Sequence, residues 1–149
     1  MYTVSIIIRQ QPELTSRLKE ETDSFIKSLV SLYGDMEFLF SEKGEFEKCL
    51  LSSVDKVRKE RDFQQQKVIV TLASEAPIVE CCWDGIFFDR VAYFPCTEKK
   101  EPWHFLPIHR HMMNRSDMLV YYADIFNKES EDLVRYVKCF GGSTCNLAD

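Results

Sequence analysis

The end of the chain alternates between helical and extended patterns, and this alternation constrains the fold more than any other feature. A helix predicted over Leu106–Asn114 stops just before the apolar run Met118–Tyr122. A second helix, predicted over Ser130–Phe140, is followed by a last short strand at Ser143–Leu147. Helices and strands that alternate in this way indicate an α/β domain with a parallel sheet. Ligands bind such sheets beyond the carboxyl ends of the strands, which points to the loop 123–129.

The first half of the chain continues the alternation. Runs of β-branched and other apolar residues predict strands at Tyr2–Ile8, Met36–Phe40 and Lys67–Ala73. Two amphipathic helices lie between them, the first opened by Pro12 and closed by Gly34. Right-handed crossovers predict a three-layer Rossmann-like fold with a five-stranded, mostly parallel sheet in the order 3-2-1-4-5. The apolar positions that predict the buried faces of the two helices are Leu14, Leu18, Phe25, Leu29 and Leu32, then Phe46, Leu50, Val54 and Val57.

Length and charge limit the classes of protein to be considered. A chain of 149 residues is expected to form a single domain over 1–149. The net charge is −5 and no basic run is longer than Lys99-Lys100, which disfavours a broad nucleic-acid-binding surface. No membrane-spanning segment is expected, and the start of the chain lacks the pattern of a signal peptide. The six cysteines are therefore expected to be free thiols in a reducing cytoplasm.

The segment Ser74–Pro107 is the hardest to assign. It is rich in aromatic residues and prolines, which predicts an ordered excursion rather than a flexible linker. A short helix is expected at Ile78–Trp83. The aromatic side chains have three interpretations. They form a local mini-core under the loop, they line a pocket on which a base stacks, or they form an exposed surface over Trp83–Phe94 that pairs two copies of the chain into a homodimer.

Four segments resemble motifs that follow one another in a known family. The junction Ile108–Asp117 resembles R-N-x-x-M-V-x-x-S-D, and the loop Ser41–Glu47 resembles G-G-x-G-x-F-D. Phe88–Pro95 resembles Y-D-E-x-I-Y-P, and Arg135–Leu147 resembles a helix with E-Y-A-K followed by a strand with I-N-L. By these motifs nearly the whole chain resembles the SLOG superfamily. These are Rossmann-like domains related to DNA-processing protein A and to lysine-decarboxylase-like phosphoribohydrolases, and the resemblance is strongest to small bacterial members of unknown function.

The chain departs from this family at the glycines that would bind a phosphate group. The C-G-H-R end of the first strand is Ile8-Arg9-Gln10 here, and two glycine pairs are replaced by Ser41-Glu42 and Lys128-Glu129. Glycine lets backbone N–H groups approach a phosphate closely, whereas glutamate adds bulk and negative charge. The resemblance therefore implies a nucleotide-derived ligand and a degraded site for it. The phosphoribohydrolase signature P-G-G-x-G-T-x-x-E is absent from the sequence.

Candidate ligand-binding residues lie mainly on loops that follow the strands. Asp124 and Asn127 fit ordinary turn chemistry equally well, and Arg110 equally fits a surface ion pair. The full set of candidates is Arg9, Ser41, Gly44, Arg110, Asp124, Asn127 and Lys128.

No metal ion, cofactor or catalytic nucleophile is expected. His109 and His111 are two positions apart, so on a helix their side chains point about 200° away from each other. No C-x-x-C pair indicates a structural zinc. Nothing near Cys49, Cys81, Cys82 or Cys96 marks an activated thiol.

These features predict a non-catalytic module that binds a nucleotide derivative or another partner. Two alternatives remain open. One is a hydrolase that cleaves an N-glycosidic or phosphate bond of a nucleotide, for which Glu42, Glu47, Asp124 and Glu129 are the suitably placed acids. The other is a structural role through self-association.

Overall fold

The protein is built around a six-stranded parallel sheet. The computed structural model describes residues 1–77, 79–96 and 103–149. All neighbouring strands in this sheet are parallel, in the order β6-β3-β2-β1-β7-β8. A separate antiparallel hairpin is formed by β4 and β5. In chain order the strands are β1 (Tyr2–Ile6), β2 (Met36–Phe40), β3 (Val68–Ser74), β4 (Cys82–Trp83), β5 (Ile86–Phe87), β6 (Arg90–Tyr93), β7 (Met118–Tyr121) and β8 (Ser143–Asn146).

The five predicted strands are all present, and their order relative to one another is the predicted one. The expected count of five is wrong, because β6 adds a sixth strand beside β3 at the edge of the sheet. β6 lies inside the aromatic segment that was expected to be an excursion without a strand of the main sheet. Its sequence does contain the short apolar run Val91–Tyr93, but three of its four residues are exposed, as expected for a strand at the edge of a sheet.

Four helices flank the sheet: α1 (Ser16–Tyr33), α2 (Glu45–Lys59), α3 (Pro107–Asn114) and α4 (Lys128–Cys139). The expectation that Pro12 opens the first helix is wrong. Thr15 caps α1 instead, since its Oγ1 accepts the N–H of Leu18 at 3.1 Å. Gly34 ends α1 with φ of +73°, as predicted. Leu32 was placed on the buried face of this helix, but it is 72% exposed.

Successive strand residues point to opposite faces of the sheet, and each face has its own core. Phe38 and Phe40 pack with residues of α1 and α2, whereas Leu39 between them packs with residues of α3 and α4. Ile6 and Ile7 divide between the two cores in the same way. The protein therefore has helices on both sides of the sheet, as the three-layer prediction required. The predicted buried positions of α2, namely Phe46, Leu50, Val54 and Val57, are all buried.

The short helix expected at 78–83 is wrong for residues 79–83, and Ile78 lies outside the described residues. Cys82 and Trp83 instead form a strand of the β4–β5 hairpin. Asp84 and Gly85 form its turn with positive φ at both positions, the conformation that matches the twist of a two-residue hairpin.

The aromatic segment contributes to the main core. Trp83 and Phe88 are buried, and both meet the ring of Phe40 edge to face at about 6 Å. The mini-core interpretation is therefore wrong for these two residues, because they extend the core under α1 and α2. Phe87 is 67% exposed and remains on the surface.

One carboxylate is buried within the sheet. Glu37 on β2 is 2% exposed. Thr71 Oγ1 donates a hydrogen bond to its Oε2 at 2.7 Å. The guanidinium groups of Arg90 and Arg115 reach the same oxygen at 3.0 and 2.8 Å. Glu37 thus connects the centre of the sheet to the edge strand β6 and to the end of α3.

The contribution of this buried carboxylate can be tested by removing either side of the interaction. The double variant Arg90→Ala/Arg115→Ala leaves Glu37 buried without its cations, so we expect a loss of about 3–5 kcal/mol in the free energy of unfolding. Glu37→Leu removes the charge and the acceptor of the Thr3 and Thr71 hydroxyls. Arg90 and Arg115 are partly exposed and can be solvated, so we expect a smaller loss. Urea denaturation of both variants measures the difference. A larger loss for Glu37→Leu would contradict this account.

Candidate functional site

The candidate site is the carboxyl edge of the sheet, defined here as the segments 7–11, 41–44 and 122–127. These segments follow β1, β2 and β7, which lie side by side in the sheet. Parallel strands deliver their following loops to the same edge, and this edge is the usual ligand position in open α/β sheets. The structure therefore brings Arg9, Ser41 and the loop before α4 together, as the predicted strand order implied.

Arg9 is held between two carboxylates at this edge. Its Nη1 contacts Glu42 Oε1, and its Nε lies 3.3 Å from Glu129 Oε1. Glu42 comes from the loop after β2, and Glu129 from the first turn of α4. The three side chains are each 23–34% exposed. The cation best placed to attract an anionic ligand is therefore already paired with two acids.

His109 brings a fourth polar group to the same place. Its ring on α3 is fully buried, and Nε2 lies 3.3 Å from Glu42 Oε1. This contact does not have the alignment of a hydrogen bond. Among the described residues, neither ring nitrogen of His109 therefore has a hydrogen-bonding partner. The interaction with His109, followed by the charge of Arg9, holds the pKa of the Glu42 carboxyl below its ordinary value despite partial burial.

The start of α2 is occupied by side chains of the protein itself. Gln11 Oε1 accepts the N–H of Phe46 at 3.0 Å, and Gln11 Nε2 donates to Glu47 Oε1 at 2.8 Å. Glu47 is 1% exposed, and burial raises the pKa of its carboxyl. A helix N-terminus attracts anions through its free N–H groups and its dipole. Here a carboxyl group and an amide from the chain take that position.

Gly44 provides space for this arrangement. A Cβ atom at Gly44 would lie 2.2 Å from Glu47 Oε1 and 2.4 Å from the Nε2 of Gln11. Both distances are far below van der Waals contact. The glycine thus leaves room for two internal side chains, which is a different role from the close approach to phosphate that the resemblance implied.

The loop before α4 is structured by local contacts. Asn127 Oδ1 caps α4 by accepting the N–H of Ser130 at 2.9 Å. Lys128 Nζ lies 3.8 Å from Glu131 and 3.7 Å from Asp132, both on the same helix. Gln10 anchors the loop through the backbone of Ile125, with its Nε2 2.7 Å from the carbonyl oxygen. The helix-capping role of Asn127 matches the turn chemistry considered from the sequence.

The remaining candidates are at the surface or on α3. Ser41 is half-buried and Asp124 is exposed, and both lie at the carboxyl edge. Arg110 is half-buried on α3, directly after His109. A role for any of the seven candidates in binding a ligand stays a prediction.

The three histidines occupy different surroundings. His109 is buried near Glu42. The ring of His111 stacks on Phe94 at 5.4 Å, and His104 Nδ1 lies 2.7 Å from Asp132 Oδ2. Over residues 1–77, 79–96 and 103–149, no group of three or more His, Cys, Asp or Glu side chains is placed to hold a metal ion. In the same ranges no helix has the length and apolar character needed to cross a membrane.

Sequence reasoning missed the amides and the histidine of this site. Gln10 and Gln11 follow Arg9 just after the predicted first strand, and a polar pair at that position was the available signal. From the sequence, His109 was considered as a metal ligand, as the base beside a cysteine nucleophile, or as a polar or partly buried ring, although it is fully buried. Helical spacing places it on the same face as Met112 and Met113, which are also buried.

Comparison with known proteins adds no relative: neither a protein-family model nor a curated protein matches this chain.

The raised pKa of Glu47 makes stability depend on pH in a defined direction. A carboxyl whose pKa is higher in the folded state stabilises the fold at low pH, and this contribution is lost as pH rises through the folded-state pKa. Glu47→Gln does not titrate and can still accept the hydrogen bond from Gln11. We therefore compare the free energy of unfolding of Glu47→Gln with that of the unmodified protein. We expect the difference to shift in favour of the variant between about pH 4 and about pH 8.

Urea denaturation at both pH values measures this change. Glu45→Gln is the matched control, because Glu45 is exposed and lies on the same turn of α2. If the free energy of unfolding of Glu47→Gln differs from that of the unmodified protein by the same amount at both pH values, burial does not raise the pKa of Glu47.

Proposed function

We propose that this chain is a SLOG-like domain that acts as a non-catalytic interaction module and whose carboxyl edge does not take a phosphate group. The observation that carries the proposal is the double ion pair of Arg9 with Glu42 and Glu129. Both acids stand where the family that the chain resembles has a glycine. A glycine at these positions would leave space for phosphate oxygens. Here Glu42 and Glu129 instead supply carboxylates that pair with Arg9.

Charge and space together disfavour an anionic ligand at this edge. Exposed ion pairs contribute only about 0–1 kcal/mol each, so the attraction within the cluster does not by itself close the site. A phosphate group that displaced the carboxylates would still lie beside Glu42 and Glu129 and be repelled by them. It would also find the start of α2 filled by Gln11 and Glu47.

The proposal predicts that nucleotides bind weakly or not at all. In calorimetric titrations with AMP, ADP-ribose and NAD, we expect no binding tighter than about 1 mM. The double variant Glu42→Gln/Glu129→Gln retains hydrogen-bonding groups of the same size but removes two negative charges beside Arg9. We expect it to bind ADP-ribose more tightly than the unmodified protein.

A second double variant controls for net charge. Glu45→Gln/Glu131→Gln makes the same change at acids of α2 and α4 that do not contact Arg9, and we expect it to bind ADP-ribose no more tightly than the unmodified protein. Micromolar binding of a nucleotide by the unmodified protein, weakened by Arg9→Ala, would contradict the proposal that the carboxyl edge takes no phosphate group. It would indicate a nucleotide-binding function instead.

A second candidate function is the hydrolysis of an N-glycosidic or phosphate bond in a nucleotide. The observation that favours it is the opposite shift of two neighbouring carboxyls, since the pKa of Glu42 is lowered and that of Glu47 is raised. Two carboxyls separated in this way can serve as base and acid. Against it, Glu47 is 1% exposed and is held by Gln11, so a substrate would first have to displace the amide.

Product analysis distinguishes the two candidate functions. On incubation with AMP and ADP-ribose we expect chromatography to show no free base, ribose phosphate or inorganic phosphate above the buffer control. A product that forms with the unmodified protein and with Glu45→Gln, but not with Glu47→Gln, would establish the hydrolase instead.

A further inference from the structure

The outward side of α4 carries an open groove whose lining is mainly apolar. Five residues of α4 line it together with Phe126 from the preceding loop, and its volume is about 420 Å³. The α4 outer face is defined here by the helix residues Glu131, Val134, Arg135, Lys138 and Cys139. They recur at the three- and four-residue spacing of one helix face. The opposite face buries Leu133 and Val137 in the core.

Apolar side chains beside this face remain exposed. Phe126 is 55% exposed and the neighbouring Ile125 is 75% exposed. Val134 is only partly buried against the core. Large apolar groups that adjoin an open groove mark a surface for contact with another protein.

The charges on the α4 outer face are arranged in order along the helix. Glu131 lies near its start, whereas Arg135 and Lys138 lie towards its end. A second copy of α4 that packs antiparallel places Glu131 of each copy opposite Lys138 of the other, about a two-fold axis near Val134. Symmetric dimers form through such self-complementary patches. Parallel packing would bring like charges together instead.

The charge of the whole chain supports this face over others. The net charge of −5 repels a second copy at most surfaces. The α4 outer face carries one acid and two bases, so it does not share the net negative charge of the whole chain. Glu131 pairs with Arg135 at 2.7 Å within the helix. Such an exposed pair is weak and can exchange for a contact with the partner at little cost.

We propose that two copies of this chain pair through their α4 outer faces, with the two helices antiparallel. Val134 lies at the centre of the contact and Phe126 lies at its flanks. The inference rests on the proposed interaction function and names its partner as a second copy. A helix of 12 residues is about 18 Å long, so the contact is small. We expect a dissociation constant on the order of 10 to 100 µM.

Sedimentation velocity over a series of concentrations tests the proposal, with a reductant present because Cys139 is exposed. We expect a monomer–dimer equilibrium for the unmodified protein. Glu131→Lys and Lys138→Glu should each weaken the dimer about tenfold, because each reversal makes two contacts repulsive. The double variant Glu131→Lys/Lys138→Glu restores both contacts with exchanged signs, so it should recover the dimer.

Lys19→Glu is the matched control, an exposed reversal on α1 that should leave the equilibrium unchanged. Thermal unfolding of each variant confirms that the fold is retained. A protein that stays monomeric at about 1 mM, or a dimer that the single reversals leave intact, would overturn the proposal. Neither result bears on the proposal that the carboxyl edge takes no phosphate group, because the nucleotide titrations test that proposal separately. Recovery in the double variant is the result that supports pairing through α4.

Discussion

Burial of the sheet on both faces is the constraint on which the rest of the structure depends. Phe38 and Phe40 on one face and Leu39 on the other require helices on both sides of β2. Parallel strands are joined by helical crossovers, so their carboxyl ends meet at one edge. That edge is the place where the loops after β1, β2 and β7 converge. The position of Arg9 beside Glu42 and Glu129 follows from this topology.

The polar groups at the carboxyl edge are satisfied mainly by one another. Arg9 is paired with two acids, Gln11 bonds to Phe46 and Glu47 in the first turn of α2, and Gln10 holds the loop before α4. An open ligand site keeps donors and charges available for its ligand. The proposed pairing through α4 uses the outer surface of that helix and the adjoining Phe126, and it involves none of the contacts of Arg9, Gln10 or Gln11.

The sequence was informative where a pattern repeated and silent where a contact depended on distant residues. Apolar runs located five strands and their order, because a parallel sheet buries such strands on both faces. β6 escaped recognition because its short apolar run, Val91–Tyr93, lies within a segment whose many aromatic residues and prolines indicated an irregular excursion. The candidate residues at the carboxyl edge could be placed by topology. The links of Arg9 to Glu42 and of Gln11 to Glu47 could not, because side-chain partners are set by packing that no local pattern encodes.

The buried Glu37 has a consequence for the order of events in folding. Its partners Thr71, Arg90 and Arg115 lie 34, 53 and 78 positions away along the chain. Contacts between such distant segments form only after much of the chain has been brought together. We therefore expect this cluster to be assembled after the folding transition state and to slow the unfolding of the finished protein more than it speeds its folding. In that case its role is to prolong the lifetime of the native state.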